Sequence, residues 1–89
     1  MDLRTVILAF LAARYPAAYD EAAIFQRVNK SGLLDSPATA VEVREELRTL
    51  SNRWKFVEPE LDRVSGAVYW TATDSGKLQW VLNGQTHVG

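Results

Sequence analysis

The chain has 89 residues, a length that predicts one domain around one hydrophobic core. Its formal net charge is −1, whereas domains that bind nucleic acid usually carry a basic surplus. The chain contains no cysteine, which excludes disulfides and a thiolate zinc site and fits a reducing compartment such as the cytoplasm. No apolar run approaches the roughly 18 residues of a membrane span, so no membrane association is expected.

Two amphipathic helices are predicted in the first third of the chain. The first covers about residues 2–14, where apolar side chains recur three and four residues apart. The second covers about residues 20–30, with Asp20 as its N-cap and Gly32 just beyond its end. Leu33 and Leu34 follow this helix, and both are expected to pack back onto the core.

A third helix is predicted over about residues 39–53. Thr39 and Glu42 have the spacing of a capping box, in which each side chain accepts a hydrogen bond from the other residue's backbone. Its apolar residues fall on one face, which is expected to be buried: Ala40, Val43, Leu47, Leu50 and Trp54.

After the third helix, apolar and polar residues alternate with a period of two. This alternation predicts a β-hairpin over about residues 57–73. Glycine favours a two-residue turn at Ser65 and Gly66, and this turn pairs Leu61 with Trp70. Pro59 cannot donate a backbone hydrogen bond, so its strand is expected at an edge of the sheet. The predicted apolar face consists of Val57, Pro59, Leu61, Val68, Trp70 and Ala72, and Glu58, Glu60 and Asp62 lie on the other face.

A short closing helix is predicted from a cap at Thr73 or Asp74 to about residue 82. Leu78, Val81 and Leu82 are expected on its buried side, which leaves Trp80 partly outward. Trp80 then either forms a homodimer interface or covers the first helix of its own chain, and both interpretations stay open. Residues 85–89 are expected to be a flexible tail separate from a single domain over residues 1–84.

Two segments resemble the winged-helix superfamily. Residues 70–78, Trp-Thr-Ala-Thr-Asp-Ser-Gly-Lys-Leu, are similar to the aromatic-x-Leu-Thr-x-x-Gly segment that ends the wing of MarR-like and PadR-like regulators. Thr73 and Gly76 match that pattern, whereas Ala72 stands where those proteins often carry leucine. Residues 43–50 resemble their third helix, with an apolar residue, a leucine four residues on and another three further. Small winged-helix proteins of Mu-like prophages are also similar in length and layout.

The resemblance covers about residues 3–82 and implies an α+β fold, a winged helix. Three helices would form its core, the hairpin its wing and a short C-terminal helix its last element. It further implies that Thr73 caps the closing helix and that Gly76 lets this helix approach closely.

A winged helix suggests a small DNA-binding regulator, because such proteins place the third helix in the major groove and the wing against the backbone or minor groove. The polar side chains expected on the outer side and flanks of the third helix, and the base in the wing, are the candidate DNA contacts: Arg44, Arg48, Thr49, Asn52, Arg53 and Arg63.

A protein partner is the alternative, since Glu42 and Glu45 share the outer side of the third helix and the wing is acidic. Fold alone does not choose between duplex DNA and protein.

Catalysis and cofactor binding are not expected. His87 is the single histidine and lies in the predicted tail, which disfavours a catalytic triad and a histidine metal site. The chain also carries no glycine-rich phosphate loop.

Overall fold

A computed structural model describes residues 1–84 as one α+β unit of four α-helices and a three-stranded antiparallel sheet. The helices are α1 Leu3–Ala13, α2 Glu21–Lys30, α3 Ala40–Asn52 and α4 Asp74–Gln79, and α4 continues into a π-helical turn at Trp80–Gly84. The strands are β1 Tyr19–Asp20, β2 Val57–Leu61 and β3 Val68–Ala72. The predicted tail, with His87, lies outside the described residues.

Side-chain caps fix the beginning of the first three helices, and those at Asp20 and Thr39 confirm the sequence predictions. Asp2, Asp20 and Thr39 each accept a hydrogen bond from the backbone N–H three residues later. The capping box at α3 is complete, because the Glu42 carboxylate also accepts from the Thr39 N–H at 2.9 Å. Each cap satisfies one of the N–H groups that a helix leaves without a partner in its first turn.

The core lies between α1, α2, α3 and the inner face of the sheet. It is made of aliphatic side chains from all three helices and of the base of the hairpin. Its most buried members are Val6, Ile7, Leu11, Ala12, Ile24, Val28, Val43, Leu47, Leu50, Val57, Trp70 and Ala72.

The strand β1 has no counterpart in the predictions. Tyr19 pairs with Trp70 and Asp20 pairs with Tyr69, so β3 is the central strand and the order is β1-β3-β2. A strand of two residues is too short to show the alternation from which strands are recognised.

The hairpin forms, but the predicted register is wrong by two residues. Pro59 lies opposite Trp70 and Leu61 lies opposite Val68, so the loop is longer than the two-residue turn. Because side chains alternate with a period of two, this shift leaves every residue on its predicted face. The edge position of Pro59 is confirmed, since β2 is an outer strand.

The longer loop is ordered by Asp62. Its carboxylate accepts hydrogen bonds from the Val64 backbone N–H and from the Ser65 hydroxyl, each at 3.0 Å. The backbone N–H of Gly66 donates to the Asp62 carbonyl at 2.7 Å, and Gly66 has φ of 76°, which glycine adopts without steric penalty. These bonds favour a wider loop over the two-residue turn.

Trp54 is 41% exposed, so its predicted place in the core is wrong. The helix ends at Asn52, and Lys55 adopts φ of 59°, which turns the chain. Phe56 packs against the core instead, and its N–H donates to the Leu50 carbonyl at 3.0 Å. The Trp54 ring stacks outside Phe56 with 6.0 Å between the centroids.

Leu33 is 45% exposed, whereas Leu34 packs against the core as expected. Gly32 has φ of 75° and ends the second helix. In the irregular segment that follows, two consecutive side chains point in different directions, so only one of them reaches the interior.

The closing helix is oriented by Gly76. A Cβ atom at Gly76 would lie 1.9 Å from the backbone oxygen of Phe56, so α4 touches the backbone before β2. Thr73 fixes the same junction, because its hydroxyl donates to the Lys55 carbonyl at 2.7 Å and accepts from the Gly76 N–H at 3.0 Å. The roles that the resemblance implied for Thr73 and Gly76 are therefore confirmed.

The predicted buried side of the closing helix is wrong. Trp80 packs against the core, and Leu78, Val81 and Leu82 are exposed. Trp80 lies four residues after Gly76, and residues four apart share one face of a helix. The close approach at Gly76 therefore turns Trp80 inward and the three aliphatic side chains outward.

Across residues 1–84 no helix has the length and apolar character required to cross a membrane.

Replacing Gly76 with alanine is expected to lower the free energy of unfolding by about 1–3 kcal/mol, because the Phe56 backbone must move. This loss exceeds the gain of about 1 kcal/mol that alanine brings to a helix. Urea denaturation followed by circular dichroism measures it. The control is Ser75→Ala in the same helix, where the side chain is exposed. A Gly76→Ala chain as stable as the Ser75→Ala chain would contradict the role of close packing.

Candidate functional site

The candidate site consists of α3 and the β2–β3 hairpin, residues 40–72, named here the α3–hairpin surface. Arg44, Arg48 and Asn52 are exposed on α3, and Arg63 is exposed in the hairpin loop. Thr49 is half-buried, and its hydroxyl donates to the Glu45 carbonyl at 3.0 Å. Of the six candidate contacts, α3 therefore carries four and Arg53 forms its C-cap, whereas Arg63 lies on a separate element.

Arg44 already has a partner. Its Nε donates to the Glu21 carboxylate of α2 at 2.9 Å, and both side chains are partly exposed. An exposed pair of this kind contributes about 1 kcal/mol or less to stability. The Glu21 carboxylate nevertheless lowers the positive potential that Arg44 offers to a phosphate.

Arg53 packs on an aromatic ring. Its guanidinium lies 5.1 Å from the centroid of Trp54, which stacks in turn on Phe56. This cation–π contact fixes the side chain at the end of α3. The resulting stack forms an amphipathic edge between α3 and the hairpin.

The charges on the α3–hairpin surface nearly cancel. Residues 40–72 contain five basic side chains against six acidic ones. The acidic side chains on α3 stay on the outer side that was predicted, since Glu42 and Glu45 are both exposed. The surface therefore lacks the basic excess on which phosphate binding depends.

The outer half of the hairpin carries uncovered aliphatic side chains. Pro59, Leu61 and Val68 lie on the face that buries Val57 at the base, yet they are exposed, Leu61 to 63%. The loop adds Val64, which is 97% exposed. A strand rises about 3.3 Å per residue, so Leu61 lies about 13 Å beyond Val57, past the end of the core. The alternation of apolar and polar residues identifies which face of the hairpin is apolar. It does not show how far along the strands the helices cover that face.

Acidic side chains line the opposite face of the hairpin. Glu58 lies across from Thr71 and Glu60 lies across from Tyr69. Both carboxylates are exposed. The hairpin thus presents an aliphatic face and an acidic face to solvent.

The open edge of β2 is protected against pairing with another strand. Phe56 and Asp62 hydrogen-bond towards β3, so by alternation Val57, Pro59 and Leu61 direct their backbone groups to the open edge. Pro59 has no N–H to offer at the middle of this edge. The missing N–H disfavours the addition of another strand along this edge.

Trp80, the candidate dimer residue, packs partly buried against the core of its own chain. Leu78, Val81 and Leu82 are the exposed aliphatic side chains of the closing segment. Homodimerisation stays a prediction, which the mass of the chain in solution would test.

Within residues 1–84, no three histidine, aspartate or glutamate side chains lie close enough together to hold a metal ion. Comparison of the chain with protein-family models, with curated proteins and with solved structures found no match.

The loop carboxylate gives a prediction about pH. The Val64 backbone N–H and then the Ser65 hydroxyl hold the pKa of Asp62 below its ordinary value of 3.8. Because the folded pKa is depressed, the ordered loop is favoured above the unfolded pKa and loses that contribution as the pH falls through the folded pKa. NMR titration should show the Asp62 carboxylate and the Val64 amide changing together, at a pH below 3.8.

The matched variant is Ser65→Ala, which removes the second of these two hydrogen bonds. The pKa of Asp62 should rise part of the way towards its ordinary value. An unchanged Asp62 titration in Ser65→Ala, or an inflection at the ordinary value in the native chain, would contradict this description of the loop.

Proposed function

We propose that the chain is a non-catalytic winged-helix protein, with α1, α2 and α3 as its helical core and the β2–β3 hairpin as its wing. The support is the order of elements, in which a short strand between α1 and α2 pairs with β3 of the hairpin that follows α3. The caps at Thr39 and Thr73 and the close approach at Gly76 are further support. A cytoplasmic location stays a prediction from the absence of cysteine.

The proposed role is an interaction adaptor whose wing and third helix dock a protein. The observation that carries it is the uncovered aliphatic face of the wing at Pro59, Leu61 and Val68. Exposed apolar side chains grouped on one face are typical of a surface that a partner covers. The carboxylates of Glu58 and Glu60 on the other face favour a partner that carries basic side chains beside apolar ones.

Charge favours a protein over DNA at this surface. A DNA-binding protein gains most of its affinity from lysine and arginine at phosphates. On the α3–hairpin surface one arginine is paired with Glu21, and β2 presents Glu58 and Glu60 on one face of the wing. A polyanion approaching α3 and the wing together would meet more acids than bases.

Binding of duplex DNA is the second candidate. Arg48, Asn52 and Arg63 are exposed, and side chains of these types contact base edges and phosphates in known complexes. The two candidate functions predict that binding of the partner depends in opposite ways on the charge of the wing.

The first experiment measures the fluorescence anisotropy of a labelled duplex of random sequence at low salt. The native chain should give no saturable binding. Glu58→Lys combined with Glu60→Lys should create binding that weakens steeply with salt, because the wing then carries cations. Native binding that weakens with salt and falls further in Arg44→Ala and Arg48→Ala would overturn the adaptor proposal in favour of DNA.

The second experiment tests protein docking with a displayed library of random peptides selected on the native chain. Enriched peptides should combine apolar and basic residues, and Leu61→Asp with Val68→Asp should abolish their binding. These side chains are exposed, so both variants should keep the native circular dichroism. Ser75→Ala is the matched control and should bind as the native chain does. Peptides that bind the native and wing variants equally would refute docking at the wing.

A further inference from the structure

An open groove of about 740 Å³ lies between α1, α2 and the closing segment. Its floor includes the buried side chains of Val6, Phe10 and Val28. Trp80 lines the groove from the closing segment, and the exposed Leu33 lines it from the segment after α2. None of these residues belongs to the α3–hairpin surface.

The groove exists because α1 presents small side chains there. Ala9 and Ala13 lie one turn apart and leave space above the floor. Val6, Phe10 and Arg14 complete the same face of α1. From residue 6 to residue 14 this face extends about 12 Å along the helix axis.

The polar lining of the groove is basic. Arg14, Arg27 and Lys30 line it, and no aspartate or glutamate does. Arg14 is held in place, because its guanidinium lies 4.2 Å from the Phe10 ring centroid and donates to the Phe10 carbonyl at 3.2 Å. None of the ion pairs found within residues 1–84 involves these three cations. A chain with a net charge of −1 thus concentrates unneutralised positive charge around one apolar groove.

We propose that this groove binds a short amphipathic helix whose apolar residues are flanked by aspartate or glutamate. Apolar anchors at positions i, i+4 and i+7 of such a helix span about 10 Å, which matches the length of the groove. The anchors fill the space above Ala9 and Ala13, beside Trp80. The flanking carboxylates of the partner pair with Arg14, Arg27 and Lys30. This surface is additional to the proposed wing site and does not depend on it.

The closing segment of a second copy of this chain fits the groove less well than an acidic helix. This exposed segment offers Leu78, Val81 and Leu82, but the acid at the start of its α4, Asp74, already accepts a hydrogen bond from Tyr15. The neighbouring charge on α4 is Lys77, which repels the basic rim. The closing segment of a second copy therefore lacks the carboxylates that the cations of the groove require.

The experiment uses two synthetic peptides without tryptophan. Both carry leucine at positions i, i+4 and i+7, and one carries glutamate at the flanking positions where its twin carries lysine. Tryptophan fluorescence of a Trp54→Phe chain measures binding, since this substitution removes an exposed indole distant in sequence from the groove and keeps Trp80. The glutamate peptide should bind with a saturable change in fluorescence, and the lysine peptide should not.

Charge reversal supplies the decisive comparison. The double variant Arg27→Glu with Lys30→Glu changes two exposed positions. It should lower the affinity for the glutamate peptide by at least about tenfold, and it should bind the lysine peptide. Arg48→Glu on α3 is the matched control and should leave both affinities unchanged. Ala13→Phe should abolish binding by filling the groove, and circular dichroism should show each variant folded.

Equal binding of the two peptides, or an undiminished affinity in Ala13→Phe, would overturn the proposal. A mass in solution twice that of one chain, with a tryptophan signal that depends on protein concentration rather than on peptide, would assign the groove to a second copy and refute the acidic helix. Leu61→Asp with Val68→Asp should leave peptide affinity unchanged, so failure of the wing proposal and failure of this one are distinguishable.

Discussion

The central position of β3 is the constraint on which the rest of the fold depends. Among the described strands it alone has a neighbour on each side, β1 at one edge and β2 at the other. Its inner residues Trp70 and Ala72 enter the core, and the Thr71 hydroxyl bonds back to the Pro16 carbonyl at 3.3 Å. The sheet is therefore anchored to the helices at one end only. The hairpin leaves the core beyond Trp70, and its aliphatic side chains lose their cover there.

Both candidate surfaces arise where the small core stops covering apolar residues. At the wing, strands of five residues extend past the helices that bury their base. Between α1 and α2, two alanines on α1 leave a groove that the closing segment only partly fills. The two surfaces differ in the sign of their charge, because acidic side chains lie on the wing and basic side chains line the groove. An adaptor with both surfaces would hold two partners of opposite charge at once.

Local patterns were sufficient for most of the secondary structure. The caps at Asp20 and Thr39 depend on residues within three positions of each other, so the sequence predicts them. Asp2, which the sequence pattern places inside the first helix, also caps it. Gly76 shows the limit of such local reasoning. Gly76 is an ordinary residue of α4 in its backbone conformation. Its contact with the backbone of Phe56, which is distant in sequence, determines which face of α4 is buried. Periodicity alone placed Trp80 outside and Leu78 inside because it contains no information about that contact.

The sequence by itself determined the three main helices, the hairpin with its two faces, and the list of charged residues available at each surface. These follow from spacing and from capping, which act between near neighbours. Only the tertiary structure decided the hairpin register, the pairing of β1, the ion pair between Arg44 and Glu21, and the point along the wing where burial ends. The register follows from hydrogen bonds of Asp62 within the loop, which the alternation of apolar residues does not show. The other three features depend on how far one element reaches over another. That distance is set by packing between residues far apart in the chain, and no local pattern encodes it.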